Sequence, residues 1–135
     1  MAIIEKLIRI ETDGTISFGN YELSQKEKVV DFEVGGNLYK VKSFNDITKL
    51  TKDGALVYES LPGTAVHGFN ATDKSVTFEV WGKAESQVTM ELSPSTEYHL
   101  FIDEVKIGKI KSSLAGKVSF SVDCSREAKK IEIKK

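Results

Sequence analysis

The side chains of this 135-residue chain that could do chemistry are few and scattered. Its two histidines are far apart, His67 beside Gly68 in TAVHGF and His99 between Tyr98 and Leu100 in EYHLF. Nucleophilic catalysis needs a base within hydrogen-bond reach of the nucleophile, and no serine or cysteine can be assigned to His67 by spacing. His99 is out of phase with its apolar neighbours and reads as a solvated strand residue. Cys124 is the only cysteine; it is in phase with Phe120 and Val122 and reads as a small core side chain. Metal ligation needs clustered His or Cys at ligand spacing, and the nucleotide-binding patterns GxGxxG and GxxxxGK[ST] do not occur. No metal and no cofactor are therefore expected. Asp103-Glu104 with Asp73 could act as a glycosidase carboxylate pair only if folding set them about 5–9.5 Å apart. At such positions Asp and Glu read first as turn formers.

Binding chemistry has more to work with. In SVTFEVW, Val76, Phe78 and Val80 share one strand face, which puts Trp81 on the other face with Thr77 and Glu79. An outward tryptophan can stack on a sugar ring or bury itself in a partner, unless Gly82 introduces a bulge or the N-terminal half covers it. Trp81, Thr77, Glu79 and His67 form the candidate binding set. Phe101 is likewise out of phase with Leu100 and Ile102, so the outer faces are expected to be covered by something. The apolar segment 2–10, with Ile3, Ile4, Leu7 and Ile8, is a candidate for pairing with the edge of a second copy. A homo-oligomer is thus the expected assembly.

These residues must be positioned by strands. Runs of period-two alternation recur along the chain, bounded by Gly, Pro, Asp or Ser, and turn signals follow every 8–12 residues. Hairpins are predicted around Asp13-Gly14, Gly35-Gly36-Asn37 and Asp53-Gly54. Leu61-Pro62-Gly63 interrupts the pattern and divides a hairpin-rich region, 1–62, from a region 63–135. Beyond it the inward faces read Val88, Met90, Leu92; Tyr98, Leu100, Ile102; Val118, Phe120, Val122, Cys124; and Ile131, Ile133. Residues 2–11 could be a short helix, but Ile8 and Ile10 continue into the first hairpin and favour a strand. Charge is balanced, with net −1 and no basic segregation between the halves, so no nucleic-acid partner is expected. No window reaches the roughly 18 apolar residues of a membrane span, and no signal-peptide pattern opens the chain. A cytoplasmic location is the resulting expectation, with a surface or phage-type assembly as the alternative.

Three resemblances add to this. Leu92-x-Pro94-x-Thr96-x-Tyr98 resembles the tyrosine corner of fibronectin type III and immunoglobulin-like sandwiches. That implies a strand leaving one sheet to begin another, with the Tyr98 ring in the core and its hydroxyl bonded to backbone a few residues upstream. The segment YHLFIDEVKIGKIKSSLAGKVSFSVD resembles the terminal β-modules of bacterial polysaccharide-active proteins. Gly108 and Gly116 fit the spacing, and Asp103-Glu104 replaces the usual Asp-Gly turn. Over nearly its whole length, through MAIIEKLIRIETDGTISFGNYEL, LYKVKSFNDITKL and VYESLPGTAV, the chain is similar to short clostridial proteins that carry the name endosialidase. The name implies sialoside cleavage, which commonly uses several arginines on the substrate carboxylate. With Arg9 and Arg126 alone, a three-arginine clamp is beyond a single chain.

The expected fold is all-β: an antiparallel, Ig/FnIII-like β-sandwich over 63–135, with a β-hairpin-rich region 1–62 packed on it. The leading functional expectation is a non-catalytic, self-associating sandwich with a structural or accessory role. A carbohydrate-binding module using Trp81, with a glycan as partner, comes second, and a small endosialidase-type glycoside hydrolase third.

Overall fold

The computed structural model describes residues 3–135, an all-β arrangement of thirteen strands. They are β1 (Ile8–Ile10), β2 (Ile16–Phe18), β3 (Glu27–Val34), β4 (Asn37–Ser43), β5 (Thr48–Lys52), β6 (Ala55–Leu61) and β7 (Ala65–Ala71). After these come β8 (Ser75–Trp81), β9 (Glu85–Glu91), β10 (Glu97–Ile102), β11 (Val105–Lys111), β12 (Lys117–Asp123) and β13 (Lys129–Lys134). They form two antiparallel sheets, one of seven strands in the order β1-β2-β7-β8-β13-β10-β11 and one of six in the order β12-β9-β6-β5-β4-β3. Both sheets draw strands from either side of Pro62, so residues 1–62 and 63–135 share one interior.

The alternation read from the sequence sets which face each strand buries. Val76, Phe78, Val80, Val88, Met90, Tyr98, Leu100, Val118, Phe120, Val122, Cys124, Ile131 and Ile133 all point into the core. An aromatic cluster ties the layers together. Tyr58 of the six-stranded sheet meets Phe18 at 5.3 Å and Phe78 at 5.6 Å between ring centroids, both edge-on, and Phe18 meets Phe69 at 5.9 Å. Such pairs contribute about 0.5–1.5 kcal/mol each beyond area burial.

The hairpins follow their turn chemistry. Gly35-Gly36 (φ 56° and 85°) and Asp53-Gly54 (φ 50° and 84°) supply the paired positive φ angles that match strand twist. The β10–β11 turn uses Asp103 (φ 51°) and Glu104 (φ 69°) with no glycine at all. Asp103 is clipped to β13: its N–H donates to the Lys130 carbonyl at 2.9 Å, and its Oδ1 accepts the Lys130 N–H at 2.9 Å.

The N-terminal segment departs from the expected continuous strand. Leu7 takes φ 70° and its N–H donates to the Ile4 carbonyl at 2.9 Å, so the chain turns through Glu5-Lys6 before β1 begins. Backbone bonds between Ile4 and Gly19 and between Gly19 and Leu7 then seal the turn against the end of β2. Ile4, Leu7 and Ile8 are 1%, 3% and 4% exposed and Ile3 is half-buried. Within one chain, Ile4, Leu7 and Ile8 are thus packed against the chain's own sheet. Met1 and Ala2, the latter the start of that segment, lie outside the described residues.

Where the chain passes from one sheet to the other, its polar groups are satisfied by hydroxyls. At the crossing between β9 and β10, the Ser93 N–H donates to the buried Tyr98 hydroxyl at 3.0 Å. Thr96 Oγ1 donates to the Pro94 carbonyl at 2.8 Å, and Leu92 packs half-buried against the core. Ser112, buried and not anticipated from sequence, accepts the Thr96 N–H at 2.8 Å and lies 2.6 Å from the Ser93 carbonyl as donor. Gly116 (φ 85°) closes this end: a Cβ there would sit 2.2 Å from the Leu92 carbonyl oxygen.

A second network stands where β6 crosses to β7. Thr48 Oγ1 donates to the Thr64 carbonyl (2.7 Å) and accepts the Thr64 N–H (3.1 Å). The single Thr48 proton being used, Ser43 must donate to Thr48 (2.8 Å), and Ser43 in turn accepts the Asn20 N–H (2.8 Å). The Thr64 hydroxyl lies 2.8 Å from both the Tyr58 hydroxyl and Ser60 Oγ. Ser43, Thr48, Tyr58, Ser60 and Thr64 are all fully buried.

Three stability outcomes follow. Tyr98→Phe leaves the Ser93 N–H without its acceptor and is expected to cost about 1–3 kcal/mol in denaturant unfolding. Thr48→Val strips partners from Ser43 and from both backbone groups of Thr64 and is expected to cost about 3 kcal/mol. Thr89→Val, removing the exposed Thr89–Ser119 contact at 3.0 Å, should stay within about 0.5 kcal/mol.

Candidate functional site

The residues singled out for binding converge on the outer face of the seven-stranded sheet. Alternate residues of β7 and β8 point away from the core, and the antiparallel register places His67 opposite Glu79, and Glu79 opposite Lys130. Thr77 stands opposite Glu132, and Glu132 opposite Phe101. His67, Gly68, Thr77, Glu79, Phe101, Glu104, Lys130 and Glu132 surround an open depression of about 350 Å³.

Trp81 flanks this depression. It stays on the outer face, half-buried, and Gly82 does not return it to the core because Gly82 itself lies against Cys124. The indole Nε1–H donates to Glu79 Oε1 at 2.8 Å, and the ring meets His67 at 5.8 Å between centroids with a 49° tilt. Phe101 carries the Lys134 ammonium 4.9 Å above its ring, a cation–π contact. Two aromatic surfaces thus bracket a patch of alternating carboxylates, ammonium and imidazole. Lys130 and Glu132 belong to the site but were not named from sequence. Their signal was the outward phase of KKIEIK, which is uninformative until β13 is placed between β8 and β10.

Beyond β7 in the sheet lie β2 and β1. Ser17 is fully buried; its hydroxyl donates to the Glu11 carboxylate and accepts the Gly68 N–H at 3.1 Å. Arg9 Nε donates to Glu11 Oε2 at 2.9 Å. The Ser17 hydroxyl first, then Arg9, hold the Glu11 carboxyl below the usual glutamate range, with a smaller contribution from His67.

Other candidates disperse. Lys135 bonds to Lys74 at one end of the sheet, while Lys130 bonds to Asp103 five residues further along β13. At about 3.3 Å per residue, Asp73 and Asp103-Glu104 are roughly 17 Å apart along the strands, too far to work as a carboxylate pair. Arg9 lies on β1 and Arg126 precedes β13, four strands away, or about 19 Å at strand level. Cys124 is a core residue whose thiol donates weakly to the Ala84 carbonyl at 3.6 Å, and burial pushes its pKa up. His99 is on the outer face as its phase required, between Lys109 and Lys134, but it is only half-exposed and its Nδ1 is shielded without a hydrogen-bond partner. Among the described residues, no three His, Cys, Asp or Glu side chains gather as ligands for one metal ion.

No protein-family model, curated protein or solved structure matches the chain.

The depressed Glu11 carboxyl has a pH consequence. Its hydrogen bonds stabilise the fold above the unfolded glutamate pKa, and that contribution is lost as pH falls through the folded value. Thermal stability is therefore expected to drop as pH goes below about 4.5, and Glu11→Gln should flatten that part of the profile.

Proposed function

We propose that this chain is a non-catalytic accessory module that binds a carbohydrate on the outer face of the seven-stranded sheet. The observation carrying this reading is the convergence of His67, Thr77 and Glu79 with Phe101 around one depression, with Trp81 fixed to Glu79 at its flank. A sugar offers an apolar C–H face and a ring of hydroxyls. Trp81 and Phe101 suit the first, while Glu79, Glu132, Lys130 and His67 suit the second as acceptors and donors. The open shape fits a chain that lies along the surface rather than a small molecule enclosed in a cavity.

Glu104 supports the same reading. A glutamate in the left-handed region costs about 1–2 kcal/mol relative to glycine, and strain of this kind tends to sit where function needs it. Here the strained residue lines the depression. Glu104→Gly is expected to stabilise the fold by about 1 kcal/mol while weakening glycan binding. The central test is a panel of oligosaccharides titrated against the single tryptophan's fluorescence. A quench or blue shift of Trp81 is the expected result, with glycan affinity in titration calorimetry lost in Trp81→Ala and retained in part in Trp81→Phe. No response to any glycan, with native fluorescence unchanged throughout, would overturn the proposal.

A second reading, self-association, rests on β11. It is an edge strand paired only with β10, and Val105 and Ile107 on it are 62% and 57% exposed. An unpaired edge with apolar side chains is a template for another chain. Light scattering at micromolar concentration should show a dimer or larger species that Ile107→Lys returns to monomer. A monodisperse native monomer rules this reading out.

A further inference from the structure

The outer face of the six-stranded sheet carries a different feature. Register aligns Lys28 of β3 with Lys42 of β4, and Lys42 with Lys49 of β5, so three ammonium groups stand in one row across adjacent strands. Lys40 lies two residues from Lys42 on the same face, and Glu59 ends the row opposite Lys49. Directly opposed side chains on neighbouring strands have Cβ atoms about 5 Å apart, and like charges so placed destabilise the sheet. A surface serving only solubility intersperses its signs. In sequence Lys28, Lys42 and Lys49 are 14 and 7 positions apart and give no sign of a cluster; pairing alone collects these three.

Glu59 offsets the row only at its Lys49 end, and among the described residues no ion pair reaches any of the four lysines. The ion pairs among the described residues lie elsewhere, joining Arg9 to Glu11, Lys109 to Glu97, and Lys129 to Asp103 and Glu127. Lys42 and Lys49 are half-buried between their neighbours. Partial desolvation first, then Lys26, Lys49 and Lys28, push the Lys42 ammonium to a lower pKa than usual. With Thr51 and Gly54, the four lysines surround a depression of about 240 Å³.

We propose that Lys28, Lys40, Lys42 and Lys49 form a binding site for a small polyvalent anion of the polyphosphate class. The residue types select that class. Lysine presents compact point charges suited to phosphate oxygens, whereas a planar carboxylate is matched by the arginine fork, and no arginine lines this site. No aromatic ring lines it either, so there is no platform on which a base or a pyranose could stack. The depression has room for a few phosphate groups, set against four cations. The Thr51 hydroxyl supplies a neutral donor at its margin. This site is on the opposite sheet from the carbohydrate face and stands independently of it.

The test uses the full chain at low ionic strength, with inorganic tripolyphosphate as probe in titration calorimetry and thermal unfolding. Tripolyphosphate is expected to bind with about one equivalent and to raise Tm, because a ligand of the native state stabilises by mass action. Amide NMR shifts should concentrate on β3, β4 and β5. Lys42→Gln/Lys49→Gln should weaken binding by about tenfold or more, whereas Lys106→Gln/Lys109→Gln on β11 should leave it unchanged. Lys28→Gln/Lys40→Gln, at the two more exposed positions, serves if the first pair fails to fold, with the same expected loss. The proposal is overturned if tripolyphosphate leaves Tm unmoved or if the β11 control loses as much affinity. It is equally overturned if a short DNA duplex competes better than tripolyphosphate at matched ionic strength, since the face would then read an extended polyanion.

Discussion

A chain that repeatedly passes between two sheets must carry its backbone through a dry interior, and every N–H and C=O on the way needs a partner. In this protein buried hydroxyls supply them. Thr48 holds both backbone groups of Thr64 at the β6–β7 crossing, and its own proton being committed orders the donors back through Ser43 to Asn20. Ser112 and Tyr98 do the equivalent work at the β9–β10 crossing. Without these groups the apolar faces would still favour burial, but the crossings would leave unsatisfied amides, each costing about 1–3 kcal/mol. The aromatic cluster of Phe18, Tyr58, Phe69 and Phe78 sits beside the first network, and Tyr58 belongs to both. Packing and polar satisfaction are therefore coupled through one side chain.

With the interior settled in this way, the two outer faces are free to differ. The seven-stranded sheet turns outward two aromatic rings, carboxylates, an imidazole and a lysine around one depression. The six-stranded sheet turns outward a row of lysines with no ring among them. Strand alternation makes this separation possible: a residue on the solvent face can change without disturbing its inward neighbour. The edges carry their own features. β3 is kinked by Asp31 at φ 56°, and β11 slips register between Leu100 and Phe101 of its partner. Bulges of this sort limit indiscriminate pairing at an edge.

Much of the fold was legible in the sequence because a two-residue period has only one structural meaning. SVTFEVW, EYHLFI, KVSFSVD and KKIEIK each bury the residues their alternation designates, and Asp53-Gly54 and Gly35-Gly36 turn where their φ preferences require. The inward Tyr98, whose hydroxyl takes the Ser93 N–H, was readable because Leu92, Pro94, Thr96 and Tyr98 have a fixed spacing within one short segment. The N-terminus was misread because Ile3, Ile4, Leu7 and Ile8 fit a strand, a helix or a partner's edge equally well. The positive φ of Leu7, imposed by backbone bonds to Gly19, selects a turn that no local preference announces. The hydroxyl networks were invisible for a related reason: Ser43, Thr48, Ser60, Thr64 and Ser112 look like ordinary solvent-facing residues until the crossings enclose them.

What the linear order determined, then, is the face on which each side chain stands, since that depends only on neighbours one or two residues away. Trp81, Thr77 and Glu79 were assigned together on this basis. Which strands lie side by side depends on contacts between distant segments, and that was decided by the tertiary structure alone. Inserting β13 between β8 and β10 adds Lys130 and Glu132 to the binding face, and the β3-β4-β5 register gathers Lys28, Lys42 and Lys49 into a single row. Period tells a residue which way to point; only the pairing of strands tells it what it will stand beside.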